Sequence, residues 1–372
     1  MDVFLGGSLD HPPLLRAVLG GAPGALRPAR LDGYRAALRA DRLLAAPMAA
    51  AGDALQGQVA RLDDDAAARL GFHAAAFGLE PVEEVATAEG HEVRVLLWRV
   101  PEGARGDWPL PFDAAGWAAE LGPVAEVAAA EILWHRSRGS AAGLSRLLHV
   151  IHARAQSRVS AAEDTPPQNV RSGLTAADVE VLGTRHPYLD FFRVDEVRLR
   201  HRLFDGGWSA PVERAGFLMT EAVTVLPYDP VRDRVLLVEQ FRAGPFLRGA
   251  PAPWTLEAIA GRRDAGETHA ETARREAMEE ARLTLGALHE VARYYPTPGA
   301  VTEYVVSYVG IADLGDAAAR IAGAAAEHED IRAHVLGFPA AMELLSTGEA
   351  DTAPLILSLM WLAANRDRLR AA

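Results

Sequence analysis

The sequence predicts a mixed α+β or α/β protein, and three observations predict it. Short β-branched runs alternate with alanine-rich helical ones along the chain. In the second half, strands fall on both sides of a single internal helix, which suits a sandwich and not a helical bundle. The length of 372 residues favours two domains, at about 150 residues per domain.

The elements follow in order. Val3-Phe4-Leu5 and Val93 to Trp98 read as strands, and Leu14 to Leu19, Asp64 to Leu70 and Leu144 to Ala155 as helices. A polar stretch follows, with Ser157, Ser160, Asp164, Thr165, Pro166, Pro167, Gln168 and Asn169 close together. Such a stretch buries little apolar area and reads as a linker. The predicted division is therefore a first domain over 1–154, a linker over 155–189 and a second domain over 190–372. Beyond it, Val197 to Phe204, the turn Asp205-Gly206-Gly207 and Trp208 predict a hairpin. Ala222 to Pro227, Val235 to Gln240 and Val305 to Ile311 predict strands. Thr268 to Leu283, Ala340 to Leu345 and Pro354 to Arg368 predict helices.

Composition excludes several chemistries. With 38 basic against 50 acidic residues the net charge is −12, a poor basis for nucleic-acid binding, which rests on cationic contacts to phosphates. Cysteine is absent, which removes disulfides, thiolate nucleophiles and cysteine metal sites. Lysine is absent too, so every basic residue is arginine, and a Walker lysine or a Schiff base is excluded. The start has no basic n-region, and no window approaches the roughly 20 apolar residues of a membrane span. The expected setting is cytoplasmic, with no nucleic-acid or membrane partner.

The chemistry concentrates in Gly261-Arg262-Arg263-Asp264-Ala265-Gly266-Glu267, continuing through Arg275-Glu276-Ala277-Met278-Glu279-Glu280. Thr268 and Glu271 form a Thr-x-x-Glu start signal, so a helix begins where the glycine-containing loop ends. Glu276, Glu279 and Glu280 share one face of it, where like charges repel by roughly a few tenths of a kcal/mol per pair. Ala273 and Ala277 are small enough for close approach to a sheet. A divalent cation relieves the repulsion, because hard carboxylate oxygens suit Mg²⁺, with Mn²⁺ as the alternative. For Glu-Glu alone a solvated acidic face is the commoner meaning; the spacing of the whole segment argues otherwise.

Gly261, five residues, Glu267, seven residues, Arg275-Glu276, then Glu279-Glu280: this pattern resembles the Nudix box. Arg282 stands where the family carries a helix-ending glycine, so a different turn is expected there. From about Phe191 onward the chain is similar to the ADP-ribose diphosphatase subgroup. Arg198 to Phe204 resembles the strand region used in dimerisation, and Glu239-Gln240-Phe241-Arg242 the strand that supplies substrate-binding side chains. Trp254 to Gly261 resembles the approach to the box, Pro296-Thr297-Pro298-Gly299 with Glu303 the proline-bearing loop, and Glu327 to Arg332 the acidic catalytic loop.

The resemblance implies an α/β/α sandwich with a mixed sheet that hydrolyses ADP-ribose to AMP and ribose 5-phosphate. By the same resemblance Glu276, Glu280, the Ala260 carbonyl and Glu329 hold Mg²⁺, and Glu327 is the general base. Arg242, Glu257, Glu303 and Pro298 line the substrate, Arg275 partners a box carboxylate, and the protein is a homodimer through this domain. Two alternatives stay open: hydrolysis of another nucleotide sugar such as GDP-mannose, and a non-catalytic ADP-ribose sensor.

The first domain has its own resemblance. Val3 to Leu9 followed by His11-Pro12-Pro13 is similar to the opening of γ-glutamylcyclotransferase-like (AIG2-like) domains, smaller mixed α+β barrels. Gly6 stands at the family's tyrosine, and Ala74 within Leu70 to Gly78 stands at its catalytic glutamate. The resemblance therefore implies a degenerate site, unless Glu80, Glu83 or Glu84 substitutes. The pairing of such a domain with a Nudix domain resembles bacterial proteins linked to tellurite resistance. His149 and His152 lack a third ligand and read as ordinary histidines. Asp63-Asp64-Asp65 reads as a helix start, and Leu355, Leu359 and Met360 as core.

Overall fold

The computed structural model describes residues 1–315, 321–322 and 330–371. The chain divides into two compact units, one of Met1–Arg214 with Asp264–Gly266 and one of Ala215–Arg263 with Glu267–Ala372.

The first unit is built on a closed ring of five strands. In chain order it contains β1 (Asp2–Leu5), α1 (Pro12–Leu19), β2 (Leu26–Leu38), β3 (Ala45–Arg61), α2 (Asp64–Ala76), β4 (Glu80–Ala88) and β5 (His91–Arg99). β6 (Leu110–Pro111), α3 (Ala114–Glu120), α4 (Gly122–Trp134) and α5 (Leu148–Glu163) follow. The strand order β3-β1-β5-β4-β2 closes on itself because β2 also pairs with β3. Alternation along each strand fills the barrel with Phe4, Leu31, Tyr34, Val59, Val95 and Leu97. The outward positions Val3 and Leu5 join Leu14, Leu70, Ile132 and Ile151 of the covering helices. Ala74 lies in that helical core, fully buried.

The same unit carries β7 (Val179–Leu189), β8 (Arg193–His201) and the first residues of β9 (Val212–Leu218), strands that form a three-stranded sheet in that order. Buried charges tie it to α4 and α5. Arg154 donates to Glu131, Arg193 bridges Glu131 (3.0 Å) and Asp195 (2.5 Å), and the Arg193 guanidinium lies 4.3 Å over the Trp134 ring. The elements of this region run as follows. The 155–189 stretch holds the end of α5 and all of β7, and only 164–175 lacks helix or strand. β7 is exposed along most of its length, so its composition is that of a linker although its backbone pairs with β8. The first unit is thus the longer one, not the smaller. Its last helix also starts later than expected, at Leu148, after a 3₁₀ turn over Ser145–Leu147. The predicted hairpin turn is present, with Arg202 bridging Trp208 and Leu203 N donating to Gly207 O at 2.8 Å.

The second unit contains β10 (Glu221–Asp229), β11 (Arg234–Phe241), α6 (Ala243–Arg248), β12 (Trp254–Glu257), β13 (Ile259–Arg262) and α7 (His269–Ala281). β14 (Leu288–Tyr294), β15 (Tyr304–Ile311), β16 (Ile321–Ala322), β17 (Ile331–Gly337), α8 (Phe338–Thr347) and α9 (Ala353–Arg370) complete it. The sheet order is β14-β15-β10-β11-β17-β16, with β12 paired to β11 and β13 to β10. β10 and β15 are parallel and the other pairings antiparallel, so the sheet is mixed. One face packs Val223, Val225, Leu236, Val238 and Ile259 against Ala273 and Ala277 of α7. The other packs Leu226, Tyr228, Val235 and Leu237 against Leu355, Leu359 and Leu362 of α9. This is the expected sandwich. Met360 departs from the core reading, being 59% exposed on the outer side of α9. Among the described residues no helix is long and apolar enough to cross a membrane.

Candidate active site

α7 owes its start to the cap that the sequence signals. Thr268 Oγ1 accepts from Glu271 N, and Glu271 Oε2 accepts from Thr268 N at 2.8 Å, satisfying two donors that the first turn would leave open. Ala273 and Ala277 have no exposed surface, so α7 sits close on the sheet and its carboxylate face meets β13. Gly261 makes this approach possible: a Cβ there would stand 1.8 Å from Glu276 Oε1. Glu280, 2% exposed, reaches the same strand, where Ala260 N donates to its Oε2 at 3.4 Å. Glu276, Glu280 and the Ala260 backbone therefore converge.

Arg275 organises the carboxylates around this point. Its Nε and Nη2 donate to Glu267 at 2.8 and 3.0 Å, and its Nη1 to Glu276 at 2.7 Å and Glu279 at 3.1 Å. Nη2 also donates to the Arg262 carbonyl at 3.0 Å, fixing helix to strand. Part of the expected repulsion is thus relieved by an arginine within the box. Glu279 lies on the outer side, 44% exposed. Among the described residues no three His, Asp or Glu side chains gather into a metal-holding group; α7 and β13 supply two carboxylates and a carbonyl. That all-oxygen set, pressed against a strand by a glycine whose Cβ would fill the space, suits a hard divalent cation that keeps open positions for water and phosphate. Glu327 and Glu329 lie outside the described residues.

Three of the expected substrate residues lie at strand ends: Arg242 just after β11, Glu257 at the end of β12 and Glu303 just before β15. Arg242 donates through Nε and Nη2 to Glu257 at 2.8 and 2.7 Å, a bidentate pair. Thr255 adds its hydroxyl to the same carboxylate at 2.5 Å. Burial pushes the Glu303 carboxyl above its usual range, against the nearby positive charge of Arg242. Pro298 is exposed in the turn that Val301 N closes on Thr297 O at 3.0 Å, just before Glu303. Helix α7 ends at Arg282, which itself adopts the left-handed conformation, φ 53°. The different turn expected there does not occur: the chain keeps a glycine-like exit with an arginine in it.

Sequence reasoning missed Glu221 at the start of β10. Arg263 Nη1 donates to its Oε2 at 2.7 Å and His269 Nε2 lies 3.0 Å away, so it pins both ends of the box loop. Burial alone would raise its pKa, but these two partners hold it below the usual carboxylate range. A lone glutamate before a strand carries no spacing signal.

The NUDIX domain family matches residues 219–357. Over 204 residues the chain is 37% identical to the ADP-ribose pyrophosphatase of Escherichia coli (strain K12), covering 55% of this chain and 97% of that protein. It is 34% identical over 195 residues to the ADP-ribose pyrophosphatase of Haemophilus influenzae, covering 52% and 89%. It is 33% identical over 139 residues to the GDP-mannose pyrophosphatase of Enterobacter sp. (strain 638), covering 37% and 71%. With the box geometry on α7 and near full-length similarity to such relatives, the chain belongs to the Nudix family.

Proposed function

We propose that the protein hydrolyses the pyrophosphate of ADP-ribose, giving AMP and ribose 5-phosphate. The observation that carries this reading is the 37% identity extending over 97% of an ADP-ribose pyrophosphatase. Similarity to the GDP-mannose pyrophosphatase is confined to 139 residues, which makes GDP-mannose the second reading.

Glu276, Glu280 and the Ala260 carbonyl would hold the cation, Mg²⁺ by its oxygen preference, with Glu329 as a further ligand. A bound divalent cation supplies charge neutralisation to the pyrophosphate and acidity to the attacking water. Arg275 keeps Glu276 and Glu267 oriented, through contacts of 2.7 and 2.8 Å. Arg242, held flat by Glu257, would contact the substrate phosphates or terminal ribose. Glu303 lies near Arg242 and lines the substrate site with it, and Pro298 shapes the turn leading to it. Glu327 takes the proton from water as its oxygen bonds to phosphorus; the bridging oxygen leaves with the other phosphate.

Two finer readings belong here. A homodimer through the Arg198 to Phe204 region is supported by the exposed apolar side chains there, Leu203 at 38% and Phe204 at 90%. For the first unit, a cyclotransferase-like barrel without that chemistry is supported by the closed five-strand ring and by alanine at the buried position 74.

The test is hydrolysis of ADP-ribose, GDP-mannose, UDP-glucose and NADH with products separated, with and without EDTA. AMP and ribose 5-phosphate, lost with EDTA and restored by Mg²⁺, are expected; preferential turnover of GDP-mannose would replace the substrate assignment.

A further inference from the structure

Gln240 occupies the penultimate position of β11 and is 5% exposed. Among the described residues its Nε2 has no hydrogen-bond partner, a cost that native interiors avoid unless the group has another use. Alternation puts Gln240 on the α7 face of the sheet with Leu236 and Val238, the face toward which Glu276 and Glu280 converge. Its register partner on β12 is Thr255, and two residues further on stands Arg242. The carboxylate beside them, Glu257, already receives Arg242 and the Thr255 hydroxyl.

The chemistry of the orphan is one-sided. An amide nitrogen only donates, and the oxygens of a pyrophosphate only accept. We infer that Gln240 is a substrate-orienting residue, whose Nε2 donates to a phosphate oxygen of the bound nucleotide sugar alongside Arg242. This rests on the ADP-ribose reading above. Gln240 supplies the geometry that a second donor fixes: one guanidinium leaves the pyrophosphate free to swivel, whereas two donors from one strand set its orientation.

The experiment uses full-length wild type, Gln240→Met and Gln240→Glu. ADP-ribose binding is titrated calorimetrically in EDTA, hydrolysis is measured with Mg²⁺, and thermal unfolding is recorded for all three. Loss of a hydrogen bond to a charged acceptor should raise Kd and KM of Gln240→Met by about tenfold to a hundredfold, while its Tm holds or rises as the orphan donor disappears. Gln240→Glu should bind more weakly still, because a carboxylate opposes the phosphates. A Gln240→Met protein with unchanged Kd and KM overturns the inference, and a lower Tm with unchanged Kd makes the residue structural only. Wild type that neither binds nor hydrolyses ADP-ribose overturns the functional reading instead, and the role of Gln240 with it.

Discussion

At Gly261 the site depends on a missing methyl group. A Cβ would stand 1.8 Å from Glu276 Oε1 and 1.9 Å from its carboxyl carbon, so Gly261→Ala must push Glu276 off β13. Displacing a reacting group by about 1 Å costs on the order of 100-fold. Gly261→Ala is therefore expected to lower kcat/KM for ADP-ribose by about that factor, with near-native circular dichroism; retained activity would show that Glu276 does not act where it lies. The box residues were legible because their chemistry is periodic. Thr268 and Glu271 form the reciprocal cap their spacing predicts, and Arg275 meets Glu267 as a structural partner. Glu221 and Gln240 were not, since each is one polar residue at or near the end of an apolar strand, where only the fold reveals its neighbours.

At the scale of elements, the exit of α7 carries strain that a single change removes. Arg282 sits at φ 53° and ψ 36°, a region costing roughly 1–2 kcal/mol for a residue with a Cβ. Glycine there gives back part of that gain through unfolded-chain entropy. Arg282→Gly is expected to raise stability by up to about 1 kcal/mol in urea unfolding, with activity unchanged. A loss of stability would mean that the arginine side chain makes a compensating contact. Helices α1, α2, α7 and α9 were readable from apolar spacing and caps, whereas the longest strands were not. β2 carries Pro28 and Gly33, and β3 runs through Ala49-Ala50-Ala51-Gly52, residues with little intrinsic preference for a pleated surface. Barrel closure supplies what propensity does not. β7 was missed for the complementary reason, its exposed polar side chains concealing a paired backbone.

For the whole molecule, the two units should answer differently to acid. In the first unit His73 of α2 is fully buried, its Nδ1 has no partner among the described residues, and burial together with the neighbouring His152 pulls its pKa down to about 3. Burial lowers His152 of α5 as well, against its hydrogen bond to the Leu148 carbonyl. A histidine whose folded pKa lies below its unfolded value stabilises fully above the unfolded value, near 6.5, and loses that contribution as pH falls toward about 3. Denaturant unfolding between about pH 7 and pH 5 should show the first unit weakening, and His73→Leu flattening that slope; a wild-type stability independent of pH would exclude the buried neutral histidines as its cause. The charges that hold β8 to α4, Arg193 to Glu131, were not legible as a pair, because they are far apart in sequence. The claim on which the rest depends is that α7 carries a metal-assisted pyrophosphate site. It is tested most directly by ADP-ribose hydrolysis with Mg²⁺ in wild type and Glu280→Gln side by side, products separated. The account predicts AMP and ribose 5-phosphate from wild type and at least about a 100-fold loss in the variant, with thermal unfolding retained; equal turnover by Glu280→Gln would contradict it.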